Sequence, residues 1–134
     1  MEFRSRVFTI CISILVVASV VSCKKDKYHE SDYIVQNNTD EMIEVYSSAY
    51  TKGSGGSYNL VSFTDEIAAH AWLSLRSIGA KEDADISGIF HEVIIRQNGI
   101  QYNKDEMANS NWVKKKINDD KFSYTLTVDT VDFQ

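Results

Sequence analysis

The sequence predicts an all-β fold, a single antiparallel β-sandwich, on three observations. Several short stretches alternate apolar and polar residues with a period of two, which is typical of half-buried strands. Clusters of Gly, Asn and Asp separate these stretches, and the chain contains no proline. About seven short strands separated by turns, in about 100 residues, form the pattern of a sandwich.

The first half of the domain contains three predicted strands, at residues 31–37, 42–50 and 58–63. A turn cluster at residues 37–40 separates the first two, and a Gly/Ser loop at residues 53–57 separates the second from the third. Tyr33 and Val35 share one face of the first strand; in the second, Ile43 and Val45 lie on one side and Met42, Tyr46 and Tyr50 on the other.

Residues 64–75 fit two kinds of element. Thr64 would cap a helix whose first turn carries Asp65 and Glu66. In a strand, every second residue from 67 to 75 would face the core, namely Ile67, Ala69, Ala71, Leu73 and Leu75. This unbroken alternation, and the strands on either side, favour a strand.

The second half is predicted to contain two hairpins. Residues 82–90 form a loop with one helical turn, and residues 91–97 and 100–103 pair through Asn98-Gly99, which suits a type I′ turn. Residues 112–117 and 121–131 flank the turn at 118–120, and the last strand has one wet face. The resulting sandwich is immunoglobulin-like in architecture only, because the chain lacks the Cys–Trp–Cys spacing.

The N-terminal segment has the parts of a secretion signal. Arg4 and Arg6 precede an apolar run at residues 7–21, which is short of the about 20 residues that span a bilayer. Val20-Val21-Ser22-Cys23 then resembles the lipobox of bacterial lipoproteins. The resemblance implies cleavage of residues 1–22 and lipidation of Cys23, which anchors the protein to a membrane.

In lipoproteins of this type an Asp after the lipidated Cys signals retention in the inner membrane. Here that position is Lys24, so the resemblance implies the outer membrane and leaves the facing leaflet open. The predicted organisation is a signal peptide at 1–22, a polar spacer at 23–30 and the sandwich domain at 31–134. Asp129-Thr130-Val131 resembles the O-glycosylation sequon of Bacteroidetes, and the whole chain is similar to that phylum's small envelope lipoproteins.

Composition and motifs exclude several classes of function. The net charge of −5 with no basic stripe argues against nucleic-acid binding. Cys11 leaves with the signal and Cys23 is lipidated, so no thiol remains for a nucleophile or a metal. His91-Glu92 lacks the second His of the helical zinc motif. His91 is expected to be a partly buried strand residue. No catalytic residue, metal site or cofactor is predicted.

The acidic run at residues 82–85 lacks the spacing of a calcium loop, and a solvated loop is the favoured interpretation. Residues 53–57 lack the Lys-Ser/Thr ending of a phosphate loop. Lys114, Lys115 and Lys116 are expected to protect an edge strand against aggregation.

Two aromatic residues are the candidate ligand-binding residues, Trp112 and Tyr102. Trp112 follows a polar stretch and alternates with Lys114 and Lys116, so its face is expected to be wet, and an exposed aromatic ring suits a glycan or protein partner. The expected function is a lipid-anchored, non-catalytic binding module of the cell envelope. The alternative is an assembly subunit of an outer-membrane complex that uses strand addition, and a small hydrolase is a weaker one.

Overall fold

A computed structural model describes residues 27–134 as two four-stranded sheets packed face to face, which confirms the predicted all-β sandwich. One sheet has the order β4-β1-β8-β7 and the other β3-β2-β5-β6. The strands are β1 (Tyr28–Asn37), β2 (Ile43–Lys52), β3 (Tyr58–Ile67), β4 (Trp72–Lys81), β5 (Glu92–Gln97), β6 (Ile100–Gln101), β7 (Trp112–Asn118) and β8 (Lys121–Val128). The lipobox and Cys23 lie outside the described residues.

Strand pairing is antiparallel except between β1 and β8, which run parallel in the centre of the first sheet. Consecutive strands β3 and β4 belong to different sheets, and each has a neighbour on one side only. The chain therefore passes from one sheet to the other at residues 68–71, and β3 and β4 are both edge strands.

The core lies between the sheets, and one of the two faces that the alternation distinguishes in β1 and in β2 points into it. Tyr33, Val35, Ile43 and Val45 have no exposed surface. The Tyr33 ring stacks on Tyr124 at 5.1 Å and meets Phe90 and Trp112 edge to face. Burial raises the pKa of the Tyr33 hydroxyl to about 12.

Both predicted hairpins are confirmed. Asn98 and Gly99 have φ angles of 50° and 80°, as the two central residues of a type I′ turn require, and Gln97 pairs with Ile100 across it. β7 and β8 pair around the predicted turn at 118–120. One helical turn, α1 (Ile86–Ile89), lies within the predicted loop.

Residues 64–67 and 72–75 belong to strands, but the prediction of one continuous strand over 64–75 is wrong. β3 ends at Ile67, a turn follows, and β4 begins at Trp72. His70 has a φ of 59° in this turn, and the side-chain amide of Asn37 donates to the carbonyls of Ile67 and Ala68. The alternation survives because the chain keeps the same residues inward on both sides of the turn, so periodicity alone does not reveal the reversal.

The domain begins earlier than expected and its last strand ends earlier. β1 starts at Tyr28, within the predicted spacer, because Tyr28, His29 and Glu30 pair with the end of β4. Glu30 also forms an ion pair with Lys121 of β8 at 2.9 Å. β8 ends at Val128, and a 3-10 turn at Thr130–Phe133 follows. The outer face of β8 is drier than predicted, since Ser123 is buried. Within residues 27–134, no helix is both long and apolar enough to cross a membrane.

Candidate functional site

The predicted exposure of Trp112 is wrong, since only 6% of its surface is accessible. The indole N–H donates to the Glu106 carbonyl at 2.8 Å, and the ring stacks on Phe90. The alternation of Trp112 with lysines suggested that its face is exposed to solvent. In the structure, however, the ammonium group of Lys114 lies over the Phe122 ring, 4.6 Å from its centroid. Long lysine side chains can cover apolar surface in this way, and here they do so beside a buried Trp.

Tyr102 is also buried, with 4% of its surface accessible, so the two candidate ligand-binding residues offer no stacking surface. Its ring packs against Phe133 at 6.1 Å, and its backbone N–H donates to Ile95. Burial raises the pKa of the Tyr102 hydroxyl, as does the nearby Asp132 carboxylate. Tyr102 thus closes the sandwich beside the C-terminal turn.

The three histidines lie in different environments. His29 belongs to β1 and not to a spacer, and its ring meets Phe122 edge to face at 5.0 Å. His70 contacts Asp40 at 2.8 Å in an exposed pair. His91 was expected to be partly buried, but it precedes β5, is exposed and contacts Tyr50.

The acidic run at residues 82–85 is engaged with polar side chains of the protein. Lys114 forms ion pairs with Glu82 at 2.9 Å and with Asp83 at 3.2 Å, and Asp85 accepts a hydrogen bond from Asn109. No group of three His, Cys, Asp or Glu side chains in residues 27–134 is arranged to hold a metal ion.

Two buried acidic residues, Glu106 and Asp132, were not predicted from the sequence. Glu106 accepts a hydrogen bond from the Ile95 N–H at 3.1 Å, and burial raises the pKa of its carboxyl group. Asp132 is 1% exposed and pairs with Lys104 at 2.5 Å, while its side chain accepts from the Asp129 N–H in a capping box. The spacing Asp129-x-x-Asp132 was the available signal for the second; nothing in the local sequence marks the first.

Three of the four sheet edges carry features that discourage pairing with another strand. β7 is an edge strand and bears the three lysines, as the sequence predicted. β6 is two residues long. β4 contains a bulge, because Tyr33 pairs with Arg76 and Ile34 pairs with Ser74, which leaves Leu75 as the extra residue.

The fourth edge, β3, carries none of these features over most of its length. It pairs with β2 over ten residues without a register shift. Residues 58–63, which we call the open edge, have no charged side chain, no proline and no glycine. Tyr58, Leu60 and Phe63 are 69%, 49% and 62% exposed.

The open edge borders a cleft between the two sheets, which we call the lateral cleft. Its volume is about 330 Å³. At the bulge of β4, Leu75 and Arg76 both line the cleft, although neighbouring residues of a regular strand face opposite sides. The remaining lining residues are Ser47, Ser48, Ala49, Thr51, Val61, Phe63, Ser77, Ile78 and Phe90.

Arg76 is the one charged residue that lines this cleft. Its guanidinium donates to the carbonyl of Ile89 at 2.9 Å and to that of Tyr50 at 3.3 Å. Those bonds use two of its five N–H donors. Within residues 27–134, no carboxylate lies at ion-pair distance from it.

Comparison of the chain with protein families, curated proteins and solved structures gives no match. The site must therefore be interpreted from its own geometry. The open edge and the lateral cleft together offer unpaired backbone groups and exposed apolar side chains. This set suits the binding of an extended peptide segment.

Proposed function

We propose that this protein is a lipid-anchored interaction module of the cell envelope that binds a protein partner by strand addition at the open edge. The observation that carries the proposal is the contrast among the edges: β7, β6 and β4 are protected, and residues 58–63 of β3 are not. A long unprotected edge strand is a template for pairing with another chain, and residues 58–63 therefore supply a place where a partner strand can be added.

The backbone of the open edge supplies the binding groups. In an antiparallel sheet, alternate residues of an edge strand direct their N–H and C=O groups away from the neighbouring strand. An added strand would pair with these groups, as in strand-addition complexes. Its side chains would contact Val61 and Phe63 on the cleft side, and Tyr58 and Leu60 on the outer side.

Membrane attachment at Cys23 is the second part of the proposal and is supported by the lipobox and the polar sequence that follows it. Cys23→Ser should remove the site of lipidation, so the variant should not become the cleaved, lipid-modified protein. Globomycin-sensitive processing, metabolic labelling with a fatty acid and cell fractionation would measure this change. The proposed location is the outer membrane, because Lys24 stands where an Asp would signal retention in the inner membrane.

Cys11→Ser is the matched control for the anchor, because Cys11 lies within the apolar run and not at the cleavage position. We expect this variant to incorporate the labelled fatty acid as the unaltered protein does, and Cys23→Ser to incorporate none. Equal labelling of the two variants would refute lipidation at Cys23.

The binding surface is tested with a displayed library of random ten-residue peptides, selected on the protein isolated from its membrane fraction. Leu60→Lys places a charge on the open edge, and Val113→Lys places the same charge on the protected edge β7, where Val113 is 67% exposed. We expect Leu60→Lys to weaken the selected peptides at least about tenfold and Val113→Lys to change affinity by no more than about twofold.

Similar weakening by both substitutions would show that charge alone, and not the open edge, governs binding. No loss with Leu60→Lys would place the peptides elsewhere on the protein and contradict strand addition at β3. Thermal unfolding of both variants controls for stability, and exposed substitutions are expected to change it little.

A further inference from the structure

We propose that one end of the sandwich rests on the membrane surface, with Tyr28 and Tyr58 at the level of the lipid headgroups. This surface, which we call the anchor end, comprises residues 27–28, 52–58, 81–85 and 117–121. The inference rests on the proposed lipidation of Cys23 and is independent of strand addition. The occupant is the lipid surface that the anchor itself enters.

Both sheets contribute strand ends to the anchor end. β1 and β8 begin there because they run parallel, and β4 ends there because it runs antiparallel to β1. Asn37, at the opposite end of β1, bonds the carbonyls of Ile67 and Ala68 where β3 ends, so β3 begins at the anchor end. β2 ends beside it, with Lys52 opposite Tyr58.

The length of the tether supplies the first argument. Lys27 pairs with Asp120 at 2.5 Å, so the chain leaves the domain at the anchor end. Four Cα–Cα steps join Lys27 to Cys23 and span at most about 14 Å. The opposite end, which includes residues 68–71 and which we call the far end, lies a ten-residue strand away, about 30 Å. A lipid on Cys23 therefore holds the anchor end, and not the far end, beside the bilayer.

The two tyrosines supply the second argument. Tyr28 is the first residue of β1 and is 64% exposed, and Tyr58 is the first residue of β3 and is 69% exposed. They belong to different sheets and so mark both sides of the anchor end. An aromatic ring with a polar tip suits the boundary between lipid and water, where tyrosines are enriched.

The charges of the anchor end are compatible with a lipid surface. Its acidic residues are held in ion pairs by lysines: Glu82 and Asp83 by Lys114, Asp119 by Lys116, and Asp120 by Lys27. Lys52 is exposed beside Tyr58 and adds a positive charge, which favours anionic headgroups.

The test measures how close each end of the lipidated protein lies to the headgroups. Ser54→Cys at the anchor end and Ala68→Cys at the far end each place one thiol at an exposed position, where it is labelled with a fluorophore. The variants, isolated from the membrane fraction, are placed in vesicles of phosphatidylcholine and phosphatidylglycerol that contain a lipid with a nitroxide headgroup. We expect nitroxide quenching at position 54 to exceed that at position 68 at least about threefold, given the distance of about 30 Å.

The unaltered protein is the blank for labelling, because a lipidated Cys23 has no free thiol and Cys11 leaves with the signal. Equal quenching at the two positions, or stronger quenching at position 68, in protein that sediments with the vesicles would overturn the proposed orientation and leave the anchor intact. Labelling of Cys23 in a protein that does not sediment with the vesicles would overturn lipidation, and this inference with it.

Replacing both tyrosines tests their contact with the headgroups. Tyr28→Ser combined with Tyr58→Ser should lower quenching at position 54 at least about twofold. Trp72→Ser, which removes an aromatic ring that is 63% exposed towards the far end, should leave that quenching unchanged. The same quenching with and without the two tyrosines would overturn their placement at the headgroups.

Discussion

At the scale of single residues, burial separates the two tryptophans more sharply than their sequence surroundings do. Trp112 is packed among Tyr33 and Phe90 and has a hydrogen-bond partner for its indole, whereas Trp72 is 63% exposed at the start of β4. The sequence suggested exposure for Trp112 because lysines alternate with it. A lysine on an edge strand is compatible with either a wet or a buried neighbour, so this pattern could not decide.

Truncation of each tryptophan tests this assignment. Trp112→Ala should destabilise the fold by about 3–5 kcal/mol, since it leaves a cavity in the core. Trp72→Ala should change the free energy of unfolding by no more than about 0.5 kcal/mol. Urea denaturation followed by circular dichroism measures both, and comparable losses would contradict the described packing.

The buried Glu106 predicts a dependence of stability on pH. Its folded pKa is raised above the ordinary value of 4.5, mainly by burial, so the folded state favours the protonated form. The contribution of this group to stability is then full below pH 4.5 and is lost as the pH rises through the raised pKa.

Glu106→Gln keeps an acceptor for the Ile95 N–H and removes the ionisation. We expect this variant to have a higher Tm than the unaltered protein at pH 7 and no such advantage at pH 4. Glu92→Gln, at an exposed position, is the control. A gap between Glu106→Gln and the unaltered protein that does not change with pH would exclude ionisation of Glu106 as its cause.

At the scale of elements, strands joined by strong local signals were predictable and the turn at residues 68–71 was not. Asn98-Gly99 fixes its hairpin through two positive φ angles, a property of those residues themselves. The turn between β3 and β4 depends instead on Asn37, which is distant in the sequence and bonds its carbonyls. A non-glycine residue, His70, takes the positive φ there, so the usual turn signal is missing.

A pair of glycine substitutions tests the hairpin. Gly99→Ala should cost about 1–2 kcal/mol, because its φ of 80° is unfavourable for any residue with a Cβ. Gly88→Ala in α1 should be neutral or stabilising by up to about 1 kcal/mol, since an added Cβ there meets no atom within 4 Å. Equal effects in thermal unfolding would rule out the assigned turn.

At the scale of the whole molecule, the class of fold was predictable from periodicity, but the order of strands in the sheets was not. Alternation shows which residues of a strand share a face, but it does not show which strand is its neighbour. The three lysines did identify β7 as an edge, because lysines on an edge strand discourage its pairing with another chain. The open edge and the lateral cleft follow from strand order and from the bulge at Leu75, and both therefore required the three-dimensional structure.

Strand addition at the open edge is tested most directly by hydrogen–deuterium exchange with mass spectrometry, on the protein alone and with a peptide selected from the library. The account predicts slower exchange in residues 58–63 on binding, because their free N–H groups gain partners, with no change in β7. Unchanged exchange at residues 58–63, with slowing at another surface, would contradict it.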